Sequence, residues 1–480
     1  MALTHYVPPA VTRDLLACGT GYVGRMDTEA ERWKPEVRRI LALAWPVMLT
    51  SLNWTLLQVT DVVVVGDAGT HEVSAFGGSR AVTFVTLMAA IGWLSGVLVF
   101  ASQADGAADK PRTGEVYREG LLLGAMIGLA GGLILSLLAE PMLRLLGVAD
   151  SVIGISTDVV RVMAFAFPPQ LILIAASNFL EGISRPRRVM VVNLMTLPLN
   201  AVLAWALATG HLGLPALGAV GAALATTISL WIGAGAILWT ASRVPDQAAR
   251  RLRDASLAAW RRAVPGALAL CRFGLVPALA SGLELAGFSW LIALSTQLGD
   301  VTSHAFQIVF AIHNVTFGVA LGFGSAAGVR AGNAVGEGRP EAARHRTLVA
   351  ALLALTVMSG LVAGLITLGG PIARAFPAEA PVHLLAVAML AVWAPFILFD
   401  GLQVVFMFAL RSVGDQVAAG INGIVAFFGV TGVLGWWLVQ TGYGPFALVW
   451  ASGLGMVAAA LLNSGRFFWL TQTRVRSPKS

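Results

Sequence analysis

Three carboxylates stand inside long apolar runs of this 480-residue chain: Asp61 in Leu56-Leu57-Gln58-Val59-Thr60-Asp61-Val62, Glu284 in Leu283-Glu284-Leu285-Ala286, and Asp400 in Phe396-Ile397-Leu398-Phe399-Asp400-Gly401. Nearly all the rest of the 25 Asp and Glu residues fall between such runs or within a turn or two of their ends. A carboxylate held in hydrocarbon costs about 2.5–3.5 kcal/mol, so each of the three is a functional candidate by default. The competing reading is an acid that hydrogen-bonds a neighbouring helix. No Lys or Arg reads as central to any apolar run, which leaves protons, metal cations or cationic organic molecules as partners. Desolvation favours the protonated carboxyl and a nearby cation the ionised one, so a proton and a cation compete for the same group. That chemistry is exchange. Gln403, three residues after Asp400, shares its helical face, and Glu284 with Asp400 reads as one site in the second half.

Other polar residues carry weaker signals. Asn178, Asn193, Asn200, Thr226 and Thr227 lie in apolar segments and could line a cavity, but such side chains also bridge helices structurally. His304 and His313 are nine residues apart, too far for an i, i+4 metal pair, and His211 stands alone, so no resident metal is expected. Trp93, Trp205, Trp290 and Trp393 could stack on aromatic ligands, yet helix packing and membrane interfaces also use Trp. There is no phosphate-binding loop, no His-Glu-x-x-His, no nucleophile elbow and no sizeable loop region to hold one, so neither an enzyme nor an ATP-driven pump is expected. No cofactor is implied. Cys18 and Cys271 make no disulfide framework.

The elements that position these groups follow from composition. The chain is 57% hydrophobic and 12% charged, where soluble domains run to about 25% charged, and its mean hydropathy is +0.78. Twelve apolar segments read as membrane-spanning helices: 37–66, 74–106, 116–139, 152–180, 187–209, 217–241, 266–298, 302–332, 347–373, 382–411, 416–440 and 445–470. Pro46, Pro168, Pro198 and Pro395 are candidate kinks, tolerated in bilayers because neighbouring helices satisfy freed backbone groups. With the N-terminus cytoplasmic, 28 of the 32 basic residues fall on the inside, and only Arg80, Arg144, Arg161 and Arg374 fall outside. This places the protein as a multi-pass protein of the cytoplasmic (inner) membrane with both termini cytoplasmic. The net charge of +7 is spread over short loops, which argues against nucleic acid as a partner. No obligate protein partner is evident. Residues 1–25 lack the apolar core of a signal peptide, and the compact start Met26-Asp27-Thr28-Glu29 leaves two readings, a flexible tail or translation beginning at Met26.

A shift of 230 residues places Ala75-Phe76 on Ala305-Phe306, Gly92 on Gly322, Gly106 on Gly336, Leu180 on Leu410 and Pro215 on Pro445. Six helices per half preserve orientation, so the repeat is parallel, with an axis along the membrane normal. The expected organisation is a cytoplasmic tail at 1–36, an N-lobe at 37–242, a linker at 243–264, a C-lobe at 265–472 and a tail at 473–480. Architectures of this kind alternate access to a site between two bundles.

The ordered set of local patterns resembles the multidrug and toxic compound extrusion family over residues 37–470. It comprises Ala44-Trp45-Pro46, Thr60-Asp61 and Gly66, Gly182-Ile183-Ser184-Arg185-Pro186, Pro198-Leu199-Asn200, the Leu217 to Thr226 run, Glu284, the Gly322 to Gly338 run, Asp400-Gly401-Leu402-Gln403 and Leu410-Arg411-Ser412-Val413-Gly414-Asp415. The resemblance implies an all-α fold of twelve helices in two pseudo-symmetric six-helix bundles around a V-shaped cleft. It implies export of drugs, mainly organic cations, in exchange for H⁺ or Na⁺. By it, Asp61 with Asn200 matches the family's N-lobe cation-coupling site, and Glu284 with Asp400 matches the C-lobe acids of the branch described as sodium-coupled, where Na⁺ would bind transiently. Two positions depart from the pattern: Ala204 stands where relatives often carry Asn or Asp, and Phe396, a candidate cavity-lining residue, stands where a Tyr is frequent. Rival readings are a flippase for lipid-linked saccharides, which wants a cationic cavity, a narrow-specificity metabolite exporter, and an intramembrane lipid-modifying enzyme.

Overall fold

The computed structural model describes residues 29–476, all of its regular structure helical among those residues. The start-site question at Met26 and the residue Cys18 lie outside them. Twelve helices of 24–41 residues are long and apolar enough to cross a bilayer, which needs about 20 residues at ~1.5 Å each. They are α1 (Glu29–Ala68), α2 (Thr70–Gly106), α3 (Lys110–Leu145), α4 (Asp150–Gly182), α5 (Pro186–Thr209), α6 (Gly218–Ala241), α7 (Leu257–Gln297), α8 (Asp300–Gly336), α9 (Pro340–Arg374), α10 (Ala380–Ser412), α11 (Gln416–Gln440) and α12 (Phe446–Arg476). The segment expected to open at residue 37 begins at Glu29, and residues 257–264 of the expected linker already belong to α7.

Of the four candidate kinks, only Pro395 interrupts a helix. A 3-10 turn at Ala394–Phe396 breaks α10 just before Asp400, as the missing proline N–H dictates. Pro46, Pro168 and Pro198 stay inside continuous helices. Outer faces are apolar because they meet lipid rather than water: Leu129, Leu133 and Leu137 form an i, i+4, i+8 stripe on α3, each more than 60% exposed.

Helices α1–α6 pack as one bundle and α7–α12 as another, with the same pairings in each. The pair α1 and α5 recurs as α7 and α11, and α2 and α4 as α8 and α10. The residues matched by the 230-residue shift are structurally equivalent too. Ala75 and Phe76 are buried, as are Ala305 and Phe306, and Leu180 and Leu410 are both fully enclosed.

The bundles meet mainly along α1 with α8, α2 with α7, and α2 with α8. Glycines make this seam. A Cβ on Gly92 would lie 2.6 Å from the Pro277 carbonyl oxygen, and its counterpart Gly322 faces Ala44 and Met48. Gly106 abuts Asn333, while its counterpart Gly336 abuts Gln103. All these contacts fall in the helix halves nearest the end of the molecule where α1 starts and the linker lies, the end that carries most of the basic residues. There Arg330 of α8 donates from Nε and Nη2 to Glu36 of α1, at 2.6 and 2.8 Å, in a buried bidentate pair. Asn333 Nδ2 donates to the Ser102 carbonyl at 2.8 Å. The bundles are therefore fastened at the basic end.

The linker is docked rather than loose. Arg250, nearly buried, donates to Asp105 at 2.7 Å, to Thr113 Oγ1 at 2.8 Å and to Asp246 at 2.8 Å, which ties the linker to the junction of α2 and α3. Burial pushes the Asp246 carboxyl up, but the hydrogen bonds and charge of Arg250 outweigh it and hold the group below its ordinary value.

Candidate functional site

A cavity of about 340 Å³ lies inside the first bundle, walled by α1, α2, α4, α5 and α6 and closed by Leu321, Ser325 and Phe408 of the second. Its α2 wall runs from Phe76 to Leu98, a span of about 33 Å at ~1.5 Å per residue. Asp61 and Glu181 stand towards opposite ends of it. Asp61 lies near Arg80, which follows the wall positions Phe76 and Ser79 by four residues and one, whereas the end of α4 at Gly182 touches Leu98 and Ala101.

Asp61 reaches the cavity because α1 packs against both α5 and α6. Asn200 Nδ2 of α5 donates to its Oδ1 at 2.7 Å, and Thr226 Oγ1 of α6 donates to its Oδ2 at 3.3 Å. Both partners are neutral, so they hold the carboxylate in place without neutralising it. Asn200 Oδ1 is buried with no protein partner, as is Asn53 Oδ1 on the same wall. An acid beside an unmet carbonyl acceptor is a cradle for a small cation, because buried acceptors left unpaired cost about 1–3 kcal/mol. Asn193 also lines the cavity. Its own Nδ2 folds back to the Val189 carbonyl at 2.9 Å, and its backbone oxygen accepts from Asn53 at 3.0 Å.

One expectation needs correction here. The acids are not without a basic neighbour, because Arg80, about three turns inside α2 and in its first third, shares the cavity with Asp61. Its guanidinium lies over the Phe76 ring at 5.9 Å and shares the cavity wall with Asp61. Arg80 lies six residues inside the expected segment 74–106, near its outer end, and its long side chain reaches the cavity from there. Ala204 is fully buried in a cluster with Val64 and Val65, so the polar lining ends one turn beyond Asn200.

The second bundle holds a different arrangement. Asp400 is 2% exposed; it accepts from Gln403 Nε2 at 3.2 Å and faces His313 Nε2 at 3.3 Å. Around the imidazole stand Phe288, Phe310, Phe317 and Trp393, with ring centroids 5.2–5.9 Å away. Glu284 of α7 is half-buried and lies in the field of Asp400 and of the buried Arg411, but makes no hydrogen bond to either. The pairing expected of Glu284 with Asp400 is thus one of proximity alone, and the direct partner of Asp400 is His313. Phe396 turns away to Trp450 and Gly453 of α12, with a ring centroid distance of 5.6 Å to Trp450, and does not line the cavity of the first bundle.

Two groups were not singled out in the sequence. His313 had been weighed only against other histidines, whereas its partner is 87 residues away. Glu181, in the last turn of α4, had been counted with the acids of helix ends. A lone acid beside a Gly-x-x-Arg-Pro turn gives no sign that another bundle covers it.

The comparisons with known proteins agree with this architecture. The family model MatE matches residues 46–206 and again residues 278–437, one match in each half. The multidrug resistance protein NorM of Burkholderia vietnamiensis is 31% identical over 446 residues, which cover 91% of this chain and 95% of that protein. Among solved structures, the eukaryotic MATE transporter AtDTX14 superposes with a TM-score of 0.81 at 19% identity, over 92% of this chain and 99% of the other. A multidrug resistance MATE family transporter of the MOP superfamily, solved in an outward-facing conformation, gives a TM-score of 0.80 at 19% identity, over 95% and 99%. With the double family match, the identity to NorM and the two six-helix bundles, the chain belongs to the multidrug and toxic compound extrusion (MatE) family.

Proposed function

We propose that the protein is a secondary active multidrug exporter of the cytoplasmic membrane that moves organic, mainly cationic compounds outward in exchange for H⁺ or Na⁺. The observation that carries this reading is the Asp61 carboxylate, held by neutral Asn200 and Thr226 on the wall of a cavity large enough for a small organic molecule. An entering proton or Na⁺ would occupy Asp61, with Asn200 Oδ1 beside it, and weaken the hold on a bound cation. Release would then leave the bundles free to exchange the fastened end for the open one. The inward force on such an ion is ~2.3 kcal/mol per charge per 100 mV.

The orientation that supports export puts both termini and the basic loops in the cytoplasm, so the seam closed by Glu36 and Arg330 faces inward and the cavity faces outward. The residues we assign to cation coupling and substrate binding are Asp61, Asn200, Glu284, Asp400 and Gln403, with Asn193 and Thr226 lining the path. A flippase for lipid-linked saccharides is disfavoured by charge, since Arg80 is the one basic residue on a wall that carries Asp61 and Glu181.

The test is reconstitution in liposomes loaded with a fluorescent organic cation, with efflux driven by a pH gradient or a sodium gradient. Efflux driven by one of them, and lost in Asp61→Asn, is the expected result. Equal leakage with and without protein under both gradients would refute an ion-coupled exporter.

A further inference from the structure

Glu181 stands at the end of the cavity away from Asp61, and its surroundings are unusual for an acid that merely ends a helix. Its Oε2 accepts from Ser325 Oγ of α8 at 2.7 Å, a bond from one bundle to the other. No Lys or Arg pairs with it among the described residues, and the cavity has Arg80 only at its far end. One turn earlier on the same face of α4, Ser177 is 8% exposed, lines the cavity, and its Oγ has no hydrogen-bond partner. The walls beside them are apolar, with Leu98 and Leu321, and Phe408 closes the end.

From this geometry we infer that Glu181 and Ser177 form a recognition site for the N–H-bearing head of a cationic substrate, a protonated amine or an amidinium. The inference rests on the exporter reading above and names the substrate group that the deep end takes. A carboxylate accepts one N⁺–H in a charge-assisted bond, and the Ser177 hydroxyl, a free acceptor one turn away, takes a second. A quaternary ammonium has the charge but no N–H to give, so it leaves Ser177 unpaired. The chemistry separates the tasks of the two acids: Glu181 holds the substrate and Asp61 the coupling ion. It also links occupancy to the seam, because a cation drawn to Glu181 competes with Ser325 for the same carboxylate.

The experiment is equilibrium binding to the full chain in detergent at neutral pH, followed by the fluorescence of dansylcadaverine, a primary amine, and of its N,N,N-trimethylated analogue. Wild type should bind the amine about tenfold more tightly than the quaternary form. Glu181→Gln should weaken the amine about tenfold or more, and Ser177→Ala should bring the two probes to within about twofold of each other. Thermal unfolding checks that each variant is folded, and Ser177→Ala keeps the test open where Glu181→Gln does not fold. Equal affinity of wild type for the two probes, or amine binding unchanged in folded Glu181→Gln, overturns the inference and leaves the exporter reading standing. Failure of wild type to bind either probe overturns both.

Discussion

The two bundles carry equivalent helices but treat their acids in opposite ways. Asp61 faces a large cavity and is bonded by an amide and a hydroxyl that leave its charge intact. Asp400 is enclosed by protein and faces an amide and an imidazole that aromatic rings surround. An acid in a cavity can exchange its partner without moving the fold, whereas an enclosed acid exchanges only if the rings around it shift. Pseudo-symmetry of the backbone therefore does not make the two sites equal in chemistry. The first bundle reads as the place of exchange, and the second as an acid with a partner already built in.

The sharpest way to break this comparison is Asn substitution at each acid. Asp61→Asn is expected to lower ion-coupled efflux at least about 100-fold, equivalent to ~2.7 kcal/mol, while Asp400→Asn lowers it about tenfold; a reversed order, read in proteoliposomes, would relocate exchange to the second bundle. The next effect is on stability. Removing His313 by His313→Ala leaves a buried carboxylate with one donor fewer and should cost about 1–3 kcal/mol, seen as a lower midpoint in thermal unfolding. Thr226→Ala should cost less than about 1 kcal/mol, since water in the cavity can take the hydroxyl's place. Equal losses in the two variants would mean that the sites are equally enclosed.

A smaller effect tests the basic ends of the bundles. Arg250 is more buried than its counterpart Arg466 on the other bundle, with side-chain exposures of 6% against 39%, while their partners Asp246 and Asp415 are alike at 19% and 17%. Asp246→Asn should therefore speed proteolysis of the linker severalfold, and Asp415→Asn should leave cleavage near α12 almost unchanged. The pH dependence follows from the lowered value of Asp246. A carboxyl depressed in the folded state contributes its stability above its unfolded value, near 3.9, and loses it as pH falls through the folded value. Pepsin should cut the wild-type linker faster as pH is lowered below about 4, a trend absent from Asp246→Asn.

Much of the architecture was legible in the sequence because hydropathy reports what a segment faces. Twelve apolar runs became twelve helices, and the 230-residue shift found glycines that occupy equivalent places in the seam. Asp61 and Asp400 were visible because an acid in an apolar run has few explanations. Asn200 and Thr226 were visible as polar residues, though their convergence on Asp61 needed the packing of α5 and α6 against α1. What hydropathy cannot report is lateral neighbourhood. His313 is apolar enough in context to pass as packing until α10 brings Asp400 to it. Arg80 was counted with the outer end of the segment 74–106, and only the packing of α1 against α2 brings it to the cavity beside Asp61. Glu181 passed as an end residue because its cover, Ser325, comes from the other half of the chain.

The glycine seam bears on how fast the molecule can work. Interlocked side chains must unpack before two surfaces part, and each rotamer that resists adds to the barrier. At Gly92, Gly106 and Gly336 the bundles instead touch through backbone, and at Gly322 through backbone and the flexible Met48 side chain, with little interlocking at these points. The Glu36 and Arg330 pair then acts as the charged clasp of that joint, beside the hydrogen bonds of Asn333 to Ser102, Gln103 to the Ser412 carbonyl and Ser325 to Glu181. Turnover in such a molecule would be governed by how often this small set of polar bonds opens to water.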